Sequence, residues 1–138
     1  MGIDNNLYEK SIKILTDLIS FQTISGSDNT RLIDYCEKIL NNLGINTFKV
    51  FDDEKKRVNL FGTLKAKKTN GKKPIILSGH TDVVPVSKGW SSDPFVATIK
   101  KDKLYGRGSC DMKGFIACTL AYAPIFKDSD LDLSLIHI

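Results

Sequence analysis

Apolar positions along the chain change period several times, and each change marks an element. Leu7, Ile12, Leu15, Leu18 and Ile19 recur at helical spacing, with Asn5 or Asn6 available as a cap. Thr, Ser, Gly and Asp break that pattern between Gln22 and Asn29. Leu32, Ile33, Cys36, Ile39, Leu40 and Leu43 then form a second stripe. It predicts a helix from about Thr30 to Leu43, which Gly44 is placed to end. Cys36 falls on that stripe and reads as a packed thiol without chemistry.

After Gly44 the period drops. Ile45 to Phe51 reads as a strand, and so does Val58 to Leu64, where alternate residues are apolar. Asn70-Gly71 marks a turn. Pro74-Ile75-Ile76-Leu77 is a short continuous apolar run of the kind that forms a buried strand. Phe95 to Ile99 and Leu104-Tyr105 read as a hairpin closed around Lys101-Asp102-Lys103. Met112 to Phe126 is apolar on nearly every side, which predicts a helix buried against a sheet and ended or kinked near Pro124. Strands intermixed with helices point to an α/β sandwich.

Composition changes this picture little. The 138 residues suffice for one domain, and 41% hydrophobic content suits a globular core. The net charge of +4 comes from lysine pairs beside turns, which read as solvated loop ends and not as a nucleic-acid face. Three cysteines without metal-finger spacing fit a reducing cytosol better than a disulfide framework. The polar start Met1 to Lys10 lacks a signal-peptide pattern, and Asn6 breaks a myristoylation signal. Phe115 to Phe126 is too short to span a bilayer. The expectation is a cytoplasmic protein with neither a membrane nor a nucleic-acid partner.

Two segments carry candidate chemistry. Leu77-Ser78-Gly79-His80-Thr81-Asp82 follows the apolar strand, and open α/β sheets place their sites at strand carboxyl ends. His80 and Asp82, two apart, project to one side of an extended segment. Asp82 could then accept from the second ring nitrogen of a metal-binding His80. A surface or core histidine beside a turn aspartate is the plainer reading of an isolated His-x-Asp. The other segment is Leu104-Tyr105-Gly106-Arg107-Gly108-Ser109-Cys110-Asp111-Met112-Lys113-Gly114. Its glycines permit a closely approached backbone, and Asp111 sits near a helix start, where a carboxylate stays ionised. Asp111 could bridge two zinc ions about 3.5–4 Å apart, or simply cap the helix. A phosphate loop is disfavoured because Asp111 would repel the anion and no Gly-Lys-Ser/Thr follows. Cys110 as a nucleophile would have only His80 as its base.

Taken in order, His80-Thr81-Asp82-Val83-Val84-Pro85, Gly89-Trp90, Asp93-Pro94-Phe95, Leu104 to Gly108 and Asp111-Met112-Lys113-Gly114 resemble a family of dizinc aminoacyl hydrolases. That family holds acetylornithine deacetylases, succinyl-diaminopimelate desuccinylases, glutamate carboxypeptidases and aminoacylases. The resemblance runs from near the N-terminus to about Phe126. It implies a three-layer, zinc-exopeptidase-like sandwich with a mixed, mostly parallel sheet. It also implies that His80 ligates one zinc, that Asp82 is the catalytic carboxylate orienting it, and that Asp111 bridges two zincs, with cobalt a possible substitute. The Asp111–Met112 peptide is cis in this family, and Trp90, Asp93 and Phe95 match a structural motif. Ser109 to Phe115 looks most like the acetylornithine deacetylases, since desuccinylases usually carry small residues in place of the Ser-Cys pair.

The same resemblance implies parts that the 138 residues lack: a Glu-Glu pair supplying general base and zinc ligand, a further acidic ligand, a late histidine and a lid or dimerisation domain. The expected parent is a homodimer cleaving N-acetylornithine to acetate and ornithine in arginine biosynthesis. A desuccinylase or another dizinc aminoacylase or carboxypeptidase is the alternative. As an N-terminal fragment, the chain is expected to be inactive and to leave Ile75 to Leu77 uncovered. A non-catalytic binding module is the competing class, and retention of His80, Asp82 and Asp111 speaks against it.

Residues 1–132 read as the N-terminal part of the catalytic domain. Leu133-Ser134-Leu135-Ile136-His137-Ile138 reads either as a buried strand or as the translation of a transposon end used in library preparation, so His137 is not taken as a ligand. The hypothesis that native sequence stops near Asp132 is checked by sequencing the source gene past that codon. A different continuation soon encoding a Glu-Glu pair is expected; native codons running through His137 and onward would remove the idea.

Overall fold

The computed structural model describes residues 5–67 and 73–129, with the backbone of 135–137. The expected Asn70-Gly71 turn lies outside the described residues. Helix α1 spans Asn5–Ser20 and α2 spans Thr30–Asn42. Strands β1 (Asn46–Phe51), β2 (Val58–Leu64) and β3 (Ile75–Leu77) follow, then the β4 (Thr98–Lys100) and β5 (Lys103–Tyr105) hairpin, α3 (Lys113–Asp128) and β6 (Leu135–His137).

The stripe on α2 is the side that packs: Leu32, Ile33, Cys36 and Leu40 are buried, with Ile39 and Leu43 packed at their margin. Gly44, at φ +68, ends the helix in a left-handed turn. Its N–H reaches the Asn41 carbonyl at 2.8 Å, and the N–H of Ile45 reaches Leu40 at 3.1 Å. Ile45 is thereby folded back onto Leu40 in the core, and β1 leaves in a fixed direction. In β2, Val58, Leu60 and Gly62 face α2 and are buried, while Asn59 is exposed and Phe61 and Thr63 are half-buried.

The main sheet runs β1-β2-β6-β3. The β1/β2 and β2/β6 pairs are antiparallel, and β3/β6 is parallel. The sheet is therefore mixed, as an α/β fold of this class requires, with one parallel pairing among the strands described. Leu18, Leu32, Leu60, Ile116 and Leu120 join the helices to one face of the sheet in a single core. On the opposite face, Phe48 and Phe61 stack with centroids 4.5 Å apart.

Ile75 and Ile76 form a strand and are 47% and 55% exposed, because β3 is an edge strand. Nothing among the described residues pairs with its outer side, so Ile75 to Leu77 are uncovered as expected. Three details differ from the pattern-based expectation. Helix α3 buries Ile116, Ala117, Leu120, Ala121 and Ala123, yet leaves Phe115, Tyr122 and Ile125 exposed. It packs mainly on α1 and more lightly on α2, in the core that also takes in Val58 and Leu60 of the sheet. Pro124 does not end the helix, which continues to Asp128 with the Ser129 N–H on the Ile125 carbonyl at 3.0 Å. Proline removes only its own N–H, so the next turn keeps its bonds. Finally, the hairpin closes on two residues, Lys101 and Asp102, both at positive φ, so Lys103 belongs to β5.

Burial pushes the Cys36 thiol up to about 12, whereas Cys110 and Cys118 are exposed. Because the thiolate is the reactive species, titration with Ellman's reagent should find two thiols that react promptly and a third released only on unfolding. Three equally fast thiols would contradict the packing of α2.

Candidate metal centre

Three stretches far apart in sequence build the site: the segment between α1 and α2, the loop after β3, and the turn before α3. Val83 is buried and bridges Ile24 in parallel fashion. Its N–H donates to the Thr23 carbonyl at 2.9 Å, and its carbonyl accepts from the Ser25 N–H at 3.0 Å. The buried Thr23 hydroxyl donates to the Thr81 carbonyl at 2.6 Å. Asn29 spans to the Val58 carbonyl at 3.0 Å and to the Thr81 hydroxyl at 3.2 Å. The segment Gln22–Asn29 thus clamps the His80–Val83 loop on both sides.

On this loop, His80 Nδ1 faces the Asp82 carbonyl at 3.0 Å and Asp82 Oδ1 at 3.3 Å. The Ser25 hydroxyl donates to Asp82 Oδ2 at 2.6 Å. The other ring nitrogen, Nε2, lies 2.9 Å from Asp111 Oδ1. Partial burial draws the imidazole pKa down. The Asp82 carbonyl and the Asp111 and Asp82 carboxylates outweigh it and leave the pKa above the usual histidine value. Both ring nitrogens are engaged by oxygen, so neither is free to act as a base for Cys110.

Asp111 is presented by the Gly106–Lys113 turn. Ser109 N–H donates to the Gly106 carbonyl at 3.1 Å, and Lys113 N–H to Gly108 at 2.9 Å. Gly108 sits at φ +82 against Val83, where a side chain would be strained. A β-carbon on Gly114 would collide with the Ser109 carbonyl, so the turn needs glycine there too. The Asp111–Met112 peptide is cis. Helix α3 starts at Lys113 with Met112 as its cap residue, so Asp111 is not the N-cap, and its carboxylate remains 85% exposed.

Two contacts that motif reading had not singled out hold this turn. Lys113 is fully buried, and its ammonium donates to the carbonyls of Leu18 at 2.9 Å and Phe21 at 2.7 Å, at the end of α1. Burial pushes its pKa down to about 8. Helix carbonyl ends attract cations, so the placement suits the group. Arg107 stacks over the Trp90 ring at 5.1 Å and donates to the Pro85 carbonyl at 3.2 Å, while its own N–H bonds the Pro94 carbonyl. Asp93 Oδ1 accepts from the Phe95 N–H at 2.8 Å. These bonds give Trp90, Asp93 and Phe95 a physical role in holding the intervening loop.

A cavity of about 240 Å³, walled by Ser25, His80, Asp82, Cys110 and Asp111 among others, opens over the site. A larger one of about 440 Å³ shares His80 and Asp82 and is lined both by core residues such as Cys36, Leu60 and Ile116 and by polar ones such as Asn29, Asp52 and Arg57. The imidazole nitrogen and carboxylate oxygen are donors that zinc accepts. Their number falls short: no cluster of three candidate ligands occurs among the described residues, and a catalytic zinc takes three from protein. No described helix is long and apolar enough to cross a membrane.

Residues 76–137 match a family model described as Peptidase family M20/M25/M40. The chain is 39% identical over 126 residues to the succinyl-diaminopimelate desuccinylase of Orientia tsutsugamushi (strain Boryong), covering 89% of this chain and 31% of that protein. It is 39% identical over 109 residues to the acetylornithine deacetylase of Myxococcus xanthus, covering 77% and 28%. Human carnosine dipeptidase 1 shares the fold, with a TM-score of 0.74 at 22% identity over 97% of this chain and 32% of that one. The chain spans about a third of the length of the curated relatives it matches.

Lys113→Met keeps the unbranched stem and removes the ammonium, taking one of the donors from each of the Leu18 and Phe21 carbonyls. A loss of about 1–3 kcal/mol in urea unfolding is expected. Unchanged stability would show that the ammonium contributes nothing to the tie.

Proposed function

We propose, for a chain whose residues 76–137 match the model of the M20/M25/M40 peptidase family, that it belongs to that family and carries part of the zinc site of an enzyme hydrolysing the amide bond of an N-acyl amino acid. The observation that carries this reading is the approach of His80 Nε2 to Asp111 Oδ1 at 2.9 Å at the end of a strand, with Asp82 on the other ring nitrogen. In this reading His80 would hold one zinc, Asp111 would be shared between two, and Asp82 would orient His80. Zinc, when bound, supplies Lewis acidity that polarises an amide carbonyl and acidifies water. Asp82 keeps the ring proton on Nδ1 and leaves Nε2 for the metal. The remaining ligands and the general base come from outside the 138 residues, and so does the dimer contact. The enzyme works in the cytoplasm.

For the substrate, the Ser109-Cys110-Asp111-Met112-Lys113-Gly114-Phe115 phrase supports N-acetylornithine. The similarity to the Orientia protein, which extends over more of the chain than that to the Myxococcus protein, supports a second reading, an N-succinyl diamino acid. Both place the scissile amide on an amino-acid nitrogen.

Titrating zinc into the chain against a chromophoric chelator should reveal weak binding that His80→Ala and Asp111→Asn each abolish, with no hydrolysis of N-acetylornithine. Binding unaffected by both substitutions would remove the metal-centre reading. With the full-length protein, kcat/KM at least about tenfold higher for N-acetylornithine than for N-succinyl-diaminopimelate is expected. The reverse ratio would establish the second reading.

A further inference from the structure

Residue 25 is brought to Asp82 by main-chain bonds that would form with almost any side chain. The Ile24–Val83 bridge, the Ser25 N–H on the Val83 carbonyl and the Val83 N–H on the Thr23 carbonyl fix the register of the two segments. The buried Thr23 hydroxyl on the Thr81 carbonyl locks it from below. What serine adds is the hydroxyl, which reaches Asp82 Oδ2 at 2.6 Å, a charge-assisted bond of short length. The opposite oxygen, Oδ1, is the one facing His80 Nδ1 at 3.3 Å. The carboxylate is about half exposed, and without this tether it would turn freely about its last torsion.

We propose that Ser25 is a positioning residue: by holding Asp82 Oδ2 it aims Oδ1 at His80 Nδ1, so that the imidazole keeps its proton there and presents Nε2 towards Asp111. The relevance of this arrangement to catalysis rests on the metal-centre reading, but the arrangement itself belongs to the metal-free chain. Ser27 lies on the same segment, and among the described residues its hydroxyl bonds the Ile24 carbonyl and not Asp82. It therefore separates a hydroxyl that touches Asp82 from one that shapes the loop.

The test is long-range proton–nitrogen NMR of the imidazoles in the metal-free chain, at a pH where His80 is neutral. The sequence holds two histidines, so His137 serves as the internal reference. In the wild-type chain the Nδ1–H tautomer of His80 should predominate, since two Asp82 oxygens face that nitrogen and one Asp111 oxygen faces the other. Ser25→Ala should move the ratio towards Nε2–H by about fivefold, the equilibrium change an ordinary hydrogen bond carries. Ser25→Thr should restore it, and Ser27→Ala should leave it at the wild-type value. A Ser25→Ala spectrum identical to wild type, or a shift of equal size in Ser27→Ala, overturns the proposal. Adding zinc to the same samples addresses the metal centre separately. If zinc leaves the wild-type His80 resonances unmoved, the metal reading fails while the tautomer comparison still decides the role of Ser25. If zinc binds, Ser25→Ala should weaken it by about tenfold, the low end for partners behind a metal ligand.

Discussion

A fully buried ammonium ties the end of α1 to the start of α3. Lys113 gives up its hydration to reach the Leu18 and Phe21 carbonyls, which also accept from the main-chain N–H groups of Phe21 and Thr23. Carbonyls at a helix end have a lone pair to spare for a cation. The tie also sets the height of everything immediately before α3. Asp111 lies two residues ahead of Lys113, so its carboxylate can reach His80 only while α3 is held down on α1. Gly108 and Gly114 serve the same constraint from the other side, by letting the turn fold tightly enough to bring Lys113 under Val83.

The candidate site is consequently a product of main-chain geometry more than of side-chain crowding. His80 and Asp111 are exposed, and their alignment comes from what lies behind them. The Thr23 and Val83 bonds hold one wall, the Gly106–Lys113 turn holds the other, and Arg107 on Trp90 keeps the long connection between them from lifting away. An open, polar mouth with a rigid floor suits ligands that must exchange small molecules while keeping their own positions.

Local signals in the sequence were legible where one residue type has one job. The α2 stripe and Gly44 marked a helix and its end, and alternation marked β2. The hairpin turn was displaced by one residue because Lys101 and Asp102 adopt positive φ without the Asn-Gly pair that usually announces it. The apolar run at Ile75 and Ile76 marked a strand, but hydrophobicity says what a residue tolerates, not which element lies over it. Lys113 was passed over because lysine ordinarily marks the surface. The Gln22–Asn29 segment looked like a plain connection, since its bonds to Thr81, Asp82 and Val83 cross more than fifty positions and leave no local pattern. The pairing of His80 with Asp111 was suggested by family resemblance alone, and no spacing rule could have found it.

The bond from Lys113 to Leu18 joins residues 95 positions apart. On a ribosome, α1 is synthesised and free of the exit tunnel long before the turn that carries Asp111 exists. Its carbonyl end gains the Lys113 bond only once that later turn has been made. Contacts of such separation form slowly, because the intervening chain has to be closed before they return any stabilisation. The half-made chain therefore passes through a period in which the apolar side of α1 is bare. Its exposure to chaperones and to other nascent chains is set by the order of translation.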